Sequence, residues 1–214
     1  MCGRFTLKVL PKELEKRYDV RFKFSEYHPS YNIAPSKMIP IIPNDNPDEI
    51  IWMRWGMTPV WWRQKGRGLI NIRRESLATK PVFKKLFTTQ RCLIPADGFY
   101  EWKKIGNKKQ PYYFKMKDGA VFSFAGIWDS EVDGTAGSII TCEPNGLVSK
   151  IHDRMPCILK QEDEDEWLNC ADEKLLLKML KPLPANGMEG YEVNMRVNSP
   201  RNDSSDLIER LSKN

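Results

Sequence analysis

The sequence predicts an α+β fold: a single domain over residues 1–214, with a curved, barrel-like, mostly antiparallel β core and flanking helices. Three observations lead there. The chain's 214 residues fit one domain or at most two small ones, and a hydrophobic content of 41% is enough to bury a core. Short apolar runs of strand character dominate, with helical patterns between and after them. Asp118-Gly119 and Asp133-Gly134 punctuate neighbouring runs as turns.

Taken in order, Pro11 to Asp19 reads as a short helix, with Pro11 in its first turn and Leu14 on the apolar side. Met38 to Ile42 and Ile50 to Trp55 read as strands. Pro81 to Gln90 reads as a helix whose buried face is Val82, Phe83, Leu86 and Phe87. Tyr112 to Met116, Val121 to Trp128 and Ser138 to Glu143 read as strands, and Pro156 to Leu159 as a further short one. The acidic run Glu162 to Glu166 opens a helix, where negative charge meets the positive end of the helix dipole. Glu173 to Leu180 follows as a helix with Asp172 as its N-cap. Tyr191, Val193, Met195 and Val197 alternate with polar residues, the pattern of a half-buried strand.

Composition excludes some functions and favours others. No run approaches eighteen apolar residues, so no membrane span is expected. Met1-Cys2-Gly3-Arg4 lacks the layout of a signal peptide, so a cytoplasmic protein is expected, nucleoid-associated, or nuclear in a eukaryote. The five cysteines are odd in number and form no Cys-x-x-Cys pair, and only His28 and His152 could assist. A zinc site and a disulfide framework are both disfavoured, and four of the five read as small core hydrophobes. The net charge of +6 is unevenly spread. Arg54 to Lys109 holds 14 Lys or Arg against 3 acids, a net of +11, which leaves −5 for the rest. Trp55, Trp61, Trp62 and Trp102 fall in that window. Positive charge beside flat rings suits a single-stranded nucleic acid, whose phosphates need charge and whose bases need stacking partners. The plainer alternative is a solvated basic surface.

Cys2 is distinguished by its position. Once Met1 is removed, residue 2 carries an α-amine and a thiol two carbons apart. The amine, with a pKa of roughly 7.7–8.0, is partly neutral at pH 7 and attacks an aldehyde to give an imine. The thiol then adds to the imine carbon and closes a five-membered thiazolidine. Only Met1 precedes Cys2, so a general aminopeptidase suffices to expose it.

Six blocks of this chain resemble one known family. They are Met1-Cys2-Gly3-Arg4-Phe5, Tyr31-Asn32-Ile33-Ala34-Pro35, Trp55-Gly56-Met57-Thr58-Pro59, Asn71-Ile72-Arg73-Arg74-Glu75-Ser76, Pro95-Ala96-Asp97-Gly98-Phe99-Tyr100-Glu101-Trp102 and His152-Asp153-Arg154-Met155-Pro156. The family is the SOS-response-associated peptidase (SRAP) family of abasic-site processing proteins. The blocks keep the family's order and span the chain to about Asn198. Ile72 stands where the family usually has alanine and Ser76 where it usually has threonine. The resemblance implies a single α+β domain with a curved β core and a basic DNA groove. It also implies a covalent crosslink between the N-terminal cysteine and abasic sites in single-stranded DNA, at single strands or single-strand/double-strand junctions. No cofactor, metal or membrane is implied, and a monomer is expected. The catalytic set carried over is Cys2, Asn71, Glu101 and His152. The DNA-contacting set is Arg4, Pro35, Trp61, Trp62, Arg73, Arg74, Trp102 and Arg154.

These residue types suit that chemistry. Glu101 sits between Tyr100 and Trp102, and a carboxyl desolvated among rings holds its proton and donates it to a leaving oxygen. The alternative is a salt-bridge partner for Lys103 or Lys104. His152 exchanges protons near neutrality and suits opening of the sugar ring; the alternative is a packed core histidine. Arg154 suits a phosphate contact. Asn71 offers a donor and an acceptor without charge and suits orienting the Cys2 amine. Arg73 and Arg74 are adjacent, so an extended backbone sends them to opposite faces, and the family match favours Arg73 toward DNA. One of Trp61 and Trp62 is expected in the core and the other as a stacking platform. Two other classes stay open. In a cysteine peptidase or N-terminal nucleophile amidase, the Cys2 thiol attacks a carbonyl with its own amine as base. A non-catalytic single-strand binder needs no free N-terminal cysteine.

Overall fold

Successive side chains of a strand point to opposite faces, so a strand can hide one face or both, and thirteen strands are found among the described residues. The computed structural model describes residues 2–22, 27–59, 68–131 and 134–212. In chain order the strands are β1 (Phe5–Leu7), β2 (Arg21–Phe22), β3 (Ser30–Ile33), β4 (Met38–Pro43), β5 (Glu49–Trp55), β6 (Asn71–Arg73), β7 (Arg91–Ala96), β8 (Gly98–Ile105), β9 (Lys108–Met116), β10 (Phe122–Glu131), β11 (Gly134–Cys142), β12 (Met155–Pro156) and β13 (Met188–Glu192). The α-helices are α1 (Pro11–Tyr18), α2 (Arg74–Thr79), α3 (Pro81–Thr89), α4 (Glu164–Asn169) and α5 (Glu173–Met179).

Five strands form a closed ring. β5, β4, β7, β10 and β11 pair antiparallel in that order. β11 then meets β5 in parallel through Ala136↔Arg54 and Gly137↔Trp55. Closure leaves these five strands no free edge. A second, antiparallel sheet runs β13-β9-β8-β1-β3. One buried cluster joins the two, because Phe5 of β1 packs edge-on against Trp55 and Phe124, and Phe99 of β8 stacks on Phe114 at 5.1 Å. This is the expected α+β architecture, with a curved, barrel-like, mostly antiparallel core and flanking helices.

The local chemistry explains where the elements end. Helix α1 begins at Pro11 and stops at Asp19, whose φ of 53° turns the chain left-handed. Asp172 caps α5 by accepting from the N–H groups of Lys174 and Leu175. In α3 the buried face is Phe83, Leu86 and Phe87, whereas Val82 is 40% exposed. Val82 lies about 100° round the helix from Phe83, on the shoulder of the stripe rather than in it. The alternation from Tyr191 to Asn198 is a strand only to Glu192; Met195–Asn198 is a 3₁₀ turn. Val193, just after the strand, and Val197, in the turn, are nonetheless buried in a second cluster with Tyr100, Tyr113 and Leu207. Cys92, Cys142 and Cys157 are core residues, while Cys170 is half-buried. The 133–134 turn falls partly outside the described residues, as Asp133 does.

Candidate active site

The register of β1 on β8 brings the start of the chain to Glu101. Phe5 pairs with Phe99 and the Tyr100 N–H donates to the Arg4 carbonyl at 3.0 Å, so the antiparallel count sets Gly3 opposite Glu101. Asp97, 1% exposed, holds β1 in place, accepting from the Thr6 hydroxyl and pairing with the Lys8 ammonium at 3.0 Å. From the other side, the Asn71 Nδ2 at the head of β6 donates to the Cys2 carbonyl at 2.6 Å. The Asn71 Oδ1 is buried with no hydrogen-bond partner among the described residues. His152 lies in the turn before β12, its Nε2 3.9 Å from the Glu101 Oε2. The structure therefore gathers Cys2, Asn71, Glu101 and His152, which are scattered through the sequence.

Burial sets the electrostatics. Glu101 is 1% exposed, and burial pushes its carboxyl up to about 7. The rings beside it in sequence are not the cause. Successive side chains of a strand face opposite ways, so Tyr100 and Trp102 pack in the second cluster while Glu101 turns toward Cys2. Cys2 is fully buried, and burial first, then the Glu101 charge, holds its thiol well above the ordinary value. Burial also lowers His152 below its usual 6.5. Its Nδ1 receives the Arg154 N–H at 3.0 Å and lies 2.8 Å from the exposed Asp153 carboxylate. An unprotonated Nδ1 satisfies the first neighbour and a protonated one the second, so the ring's proton can shift without the ring moving.

A cleft of about 660 Å³ opens on Glu101 and His152 and is also lined by Trp102, Lys104, Lys109, Ile151, Asp153 and Asn198. The arginines expected at DNA are mostly engaged. Arg4 donates to the Asn32 Oδ1 at 2.6 Å and to the Val197 carbonyl at 2.8 Å. Arg154 forks onto the Glu75 carboxylate at 2.8 and 3.0 Å. Arg73 closes β6 exposed, whereas Arg74 opens α2 and reaches the Leu177 carbonyl at 3.3 Å and Glu143 at 3.5 Å. The two arginines part at a strand-to-helix junction, not along one extended segment. Pro35 leads the turn into β4, in which Ser36 has φ 70°. The Trp102 indole donates to the Asn198 Oδ1 at 2.7 Å. Trp61 and Trp62 lie outside the described residues. Among the described residues no group of three or more His, Cys, Asp or Glu side chains is arranged to hold a metal ion. No helix among them is long and apolar enough to cross a membrane.

Sequence reasoning passed over Glu75, Asp153, Lys104 and Lys109. Glu75 and Asp153 stood inside the quoted blocks, but nothing local shows that Glu75 meets Arg154 across 79 positions. Lys109 was visible only as charge, and Lys104 only as a candidate ion-pair partner of Glu101.

Fold and site define an α+β protein in which a cysteine at position 2 is buried beside a carboxyl that titrates near neutrality. The chain matches the SOS response associated peptidase (SRAP) family over residues 1–200 and belongs to it. It is 43% identical over 222 aligned positions to abasic site processing protein YoqW of Bacillus subtilis, covering 98% of this chain and 99% of that one. It is 32% identical over 226 positions to abasic site processing protein YedK of Escherichia coli, covering 98% and 99%. A crystal structure of a Bacteroides thetaiotaomicron protein superposes with a TM-score of 0.87 at 28% identity, covering 99% of this chain and all of that one.

Proposed function

We propose that this protein processes abasic sites in DNA by forming a covalent crosslink, a thiazolidine, between Cys2 and the ring-opened sugar in single-stranded DNA. The names of its relatives supply the substrate class. The observation that carries the chemistry is Cys2 held by Asn71 beside a buried Glu101 that titrates at about 7. With Met1 removed, the Cys2 amine adds to the C1′ aldehyde. Glu101 protonates the departing hydroxyl, water leaves and an imine forms. The Cys2 sulfur then bonds to C1′ and its proton passes to the imine nitrogen, closing the ring. Asn71 Oδ1 is the acceptor that orients the amine, and His152 moves the proton during sugar opening. A protonated imine acidifies C2′ and would expel the 3′ phosphate. Sulfur addition makes C1′ tetrahedral and removes that electron sink, so the strand survives.

A thiol raised by burial suits this order better than a peptidase or amidase, which needs the thiolate as first nucleophile. The test uses labelled abasic and intact oligonucleotides and a peptide panel, read on denaturing gels for a covalent band. Only the abasic strand should give one, and a tag ahead of Cys2 should abolish it. Cys2→Ala, with Met1 still removed, should leave a borohydride-trappable imine, lose the stable adduct and raise strand cleavage. A Cys2→Ala protein without trappable imine would remove the amine from its role as first nucleophile.

A further inference from the structure

The cleft that opens on Glu101 and His152 is also lined by Lys104 and Lys109 of the β8–β9 hairpin. These lysines are direct cross-strand partners, and two residues back on the same face stands the pair Trp102↔Pro111. Like charges directly opposite each other weaken a sheet. Among the described residues neither lysine makes an ion pair, and no acid occurs between Trp102 and Lys117, while Glu101 and Asp153 line the same cleft. The hairpin thus keeps an unfavourable pairing at the mouth of the candidate site. Trp102, tied to Asn198, lines the same cleft. Lys104 lies three residue steps along the strand from Glu101, about 10 Å at 3.3 Å per residue. That distance corresponds to no more than about three nucleotides of a stacked strand at 3.4 Å each.

We propose that Lys104 and Lys109 form a phosphate subsite that grips one backbone phosphate of the reacting strand, within about three nucleotides of the sugar, with Trp102 lining the same cleft. A phosphate between two ammonium groups replaces their repulsion with two attractions, and flexible stems let both reach it. The subsite rests on the DNA reading above and adds which residues hold the strand and where.

The test is the double variant Lys104→Gln/Lys109→Gln, exposed near a hairpin tip where folding is not at stake. Lys12→Gln/Lys16→Gln on α1 serves as the charge-matched control. Affinity for an intact single-stranded oligonucleotide is measured against salt. The hairpin variant should lose about 0.7 of slope, one neutralised phosphate, and the control none. A single uncharged methylphosphonate linkage is then walked along an abasic oligonucleotide. Wild type should weaken at one linkage within three nucleotides of the abasic sugar, and the hairpin variant should be indifferent there. An unchanged slope, an equal loss in the control, or the absence of such a linkage overturns the subsite. Adduct formation is scored separately. Wild type that forms the adduct while the hairpin variant keeps its slope sinks the subsite alone. A lysine-dependent slope without any adduct in wild type sinks the crosslinking reading and leaves a strand-binding subsite.

Discussion

Glu101 holds its proton near neutrality because burial leaves a charged carboxylate without water, and this links the residue to stability. Its folded value of about 7 lies above the 4.5 of the unfolded chain, so the folded state binds the extra proton between those limits. Its contribution is complete below pH 4.5 and is lost as pH rises through 7, in total roughly 3 kcal/mol. Glu101→Gln should flatten that part of the profile, so urea midpoints at pH 5 and pH 8 should move closer together than in wild type. The same variant should slow adduct formation by about 10²–10⁴-fold. An unaltered pH profile would mean that Glu101 is not the titrating group. His152 acts in the other direction: its value is lowered, so its share is present above 6.5 and fades as pH falls. Glu75 makes a different case. Its carboxylate occupies the Arg154 fork that a phosphate would use, and that hydrogen bond chiefly holds Glu75 below its usual value. On the proposed reading, a DNA phosphate displaces it. Glu75→Gln should therefore tighten single-strand binding by up to about fivefold, the worth of an exposed ion pair, as read by fluorescence anisotropy. Weaker binding would show that Glu75 positions Arg154 instead of blocking it.

At the scale of elements, β8 carries the site through strict alternation. Phe99 and Glu101 face β1 and the main core, while Tyr100 and Trp102 face the second cluster. A one-residue slip would turn Glu101 out. Gly98 guards that register. A Cβ there would fall against the Tyr113 hydroxyl and ring, and that hydroxyl already lies 2.9 Å from the Thr6 Oγ1 beside Asp97. Gly98→Ala should cost roughly 1–3 kcal/mol by overpacking and should lower adduct yield with it, because β1 and the chain start move with β8. Equilibrium unfolding and the gel assay check the two effects. A stable variant with normal yield would show that Tyr113 swings aside freely.

At the scale of the whole molecule, the parallel seam between β5 and β11 is the weak place to close a ring, with two paired positions. Arg54, at the seam, is latched by Glu131 at the end of β10, which also receives the Thr58 N–H and hydroxyl. Glu131 is 7% exposed and Arg54 26%, so the pair is largely removed from water. Glu131→Ala leaves a half-buried guanidinium without its anion and should cost about 2–4 kcal/mol in urea unfolding. A loss below 1 kcal/mol would show that the ring closes without the latch.

The sequence by itself determined the α+β class, the family, α1, α3 and α5 with the Asp172 cap, and the cysteine at position 2. Each of these is written in neighbouring residues, or in blocks whose order survives without coordinates. Only the tertiary structure decided that strands β5 and β11 close the ring, and that Tyr191 to Asn198 breaks after Glu192 yet still buries Val193 and Val197. It also decided that Arg154 meets Glu75, that Arg4 is spoken for by Asn32, and that Lys104 opposes Lys109 at the cleft. Glu101 shows the division most clearly. The sequence placed it between two aromatic rings, but the pleat sends those rings away, and its proton affinity comes from burial on the face it shares with Phe99. Local propensity acts over a turn of chain, whereas desolvation and ion pairing depend on what distant segments bring to the same place.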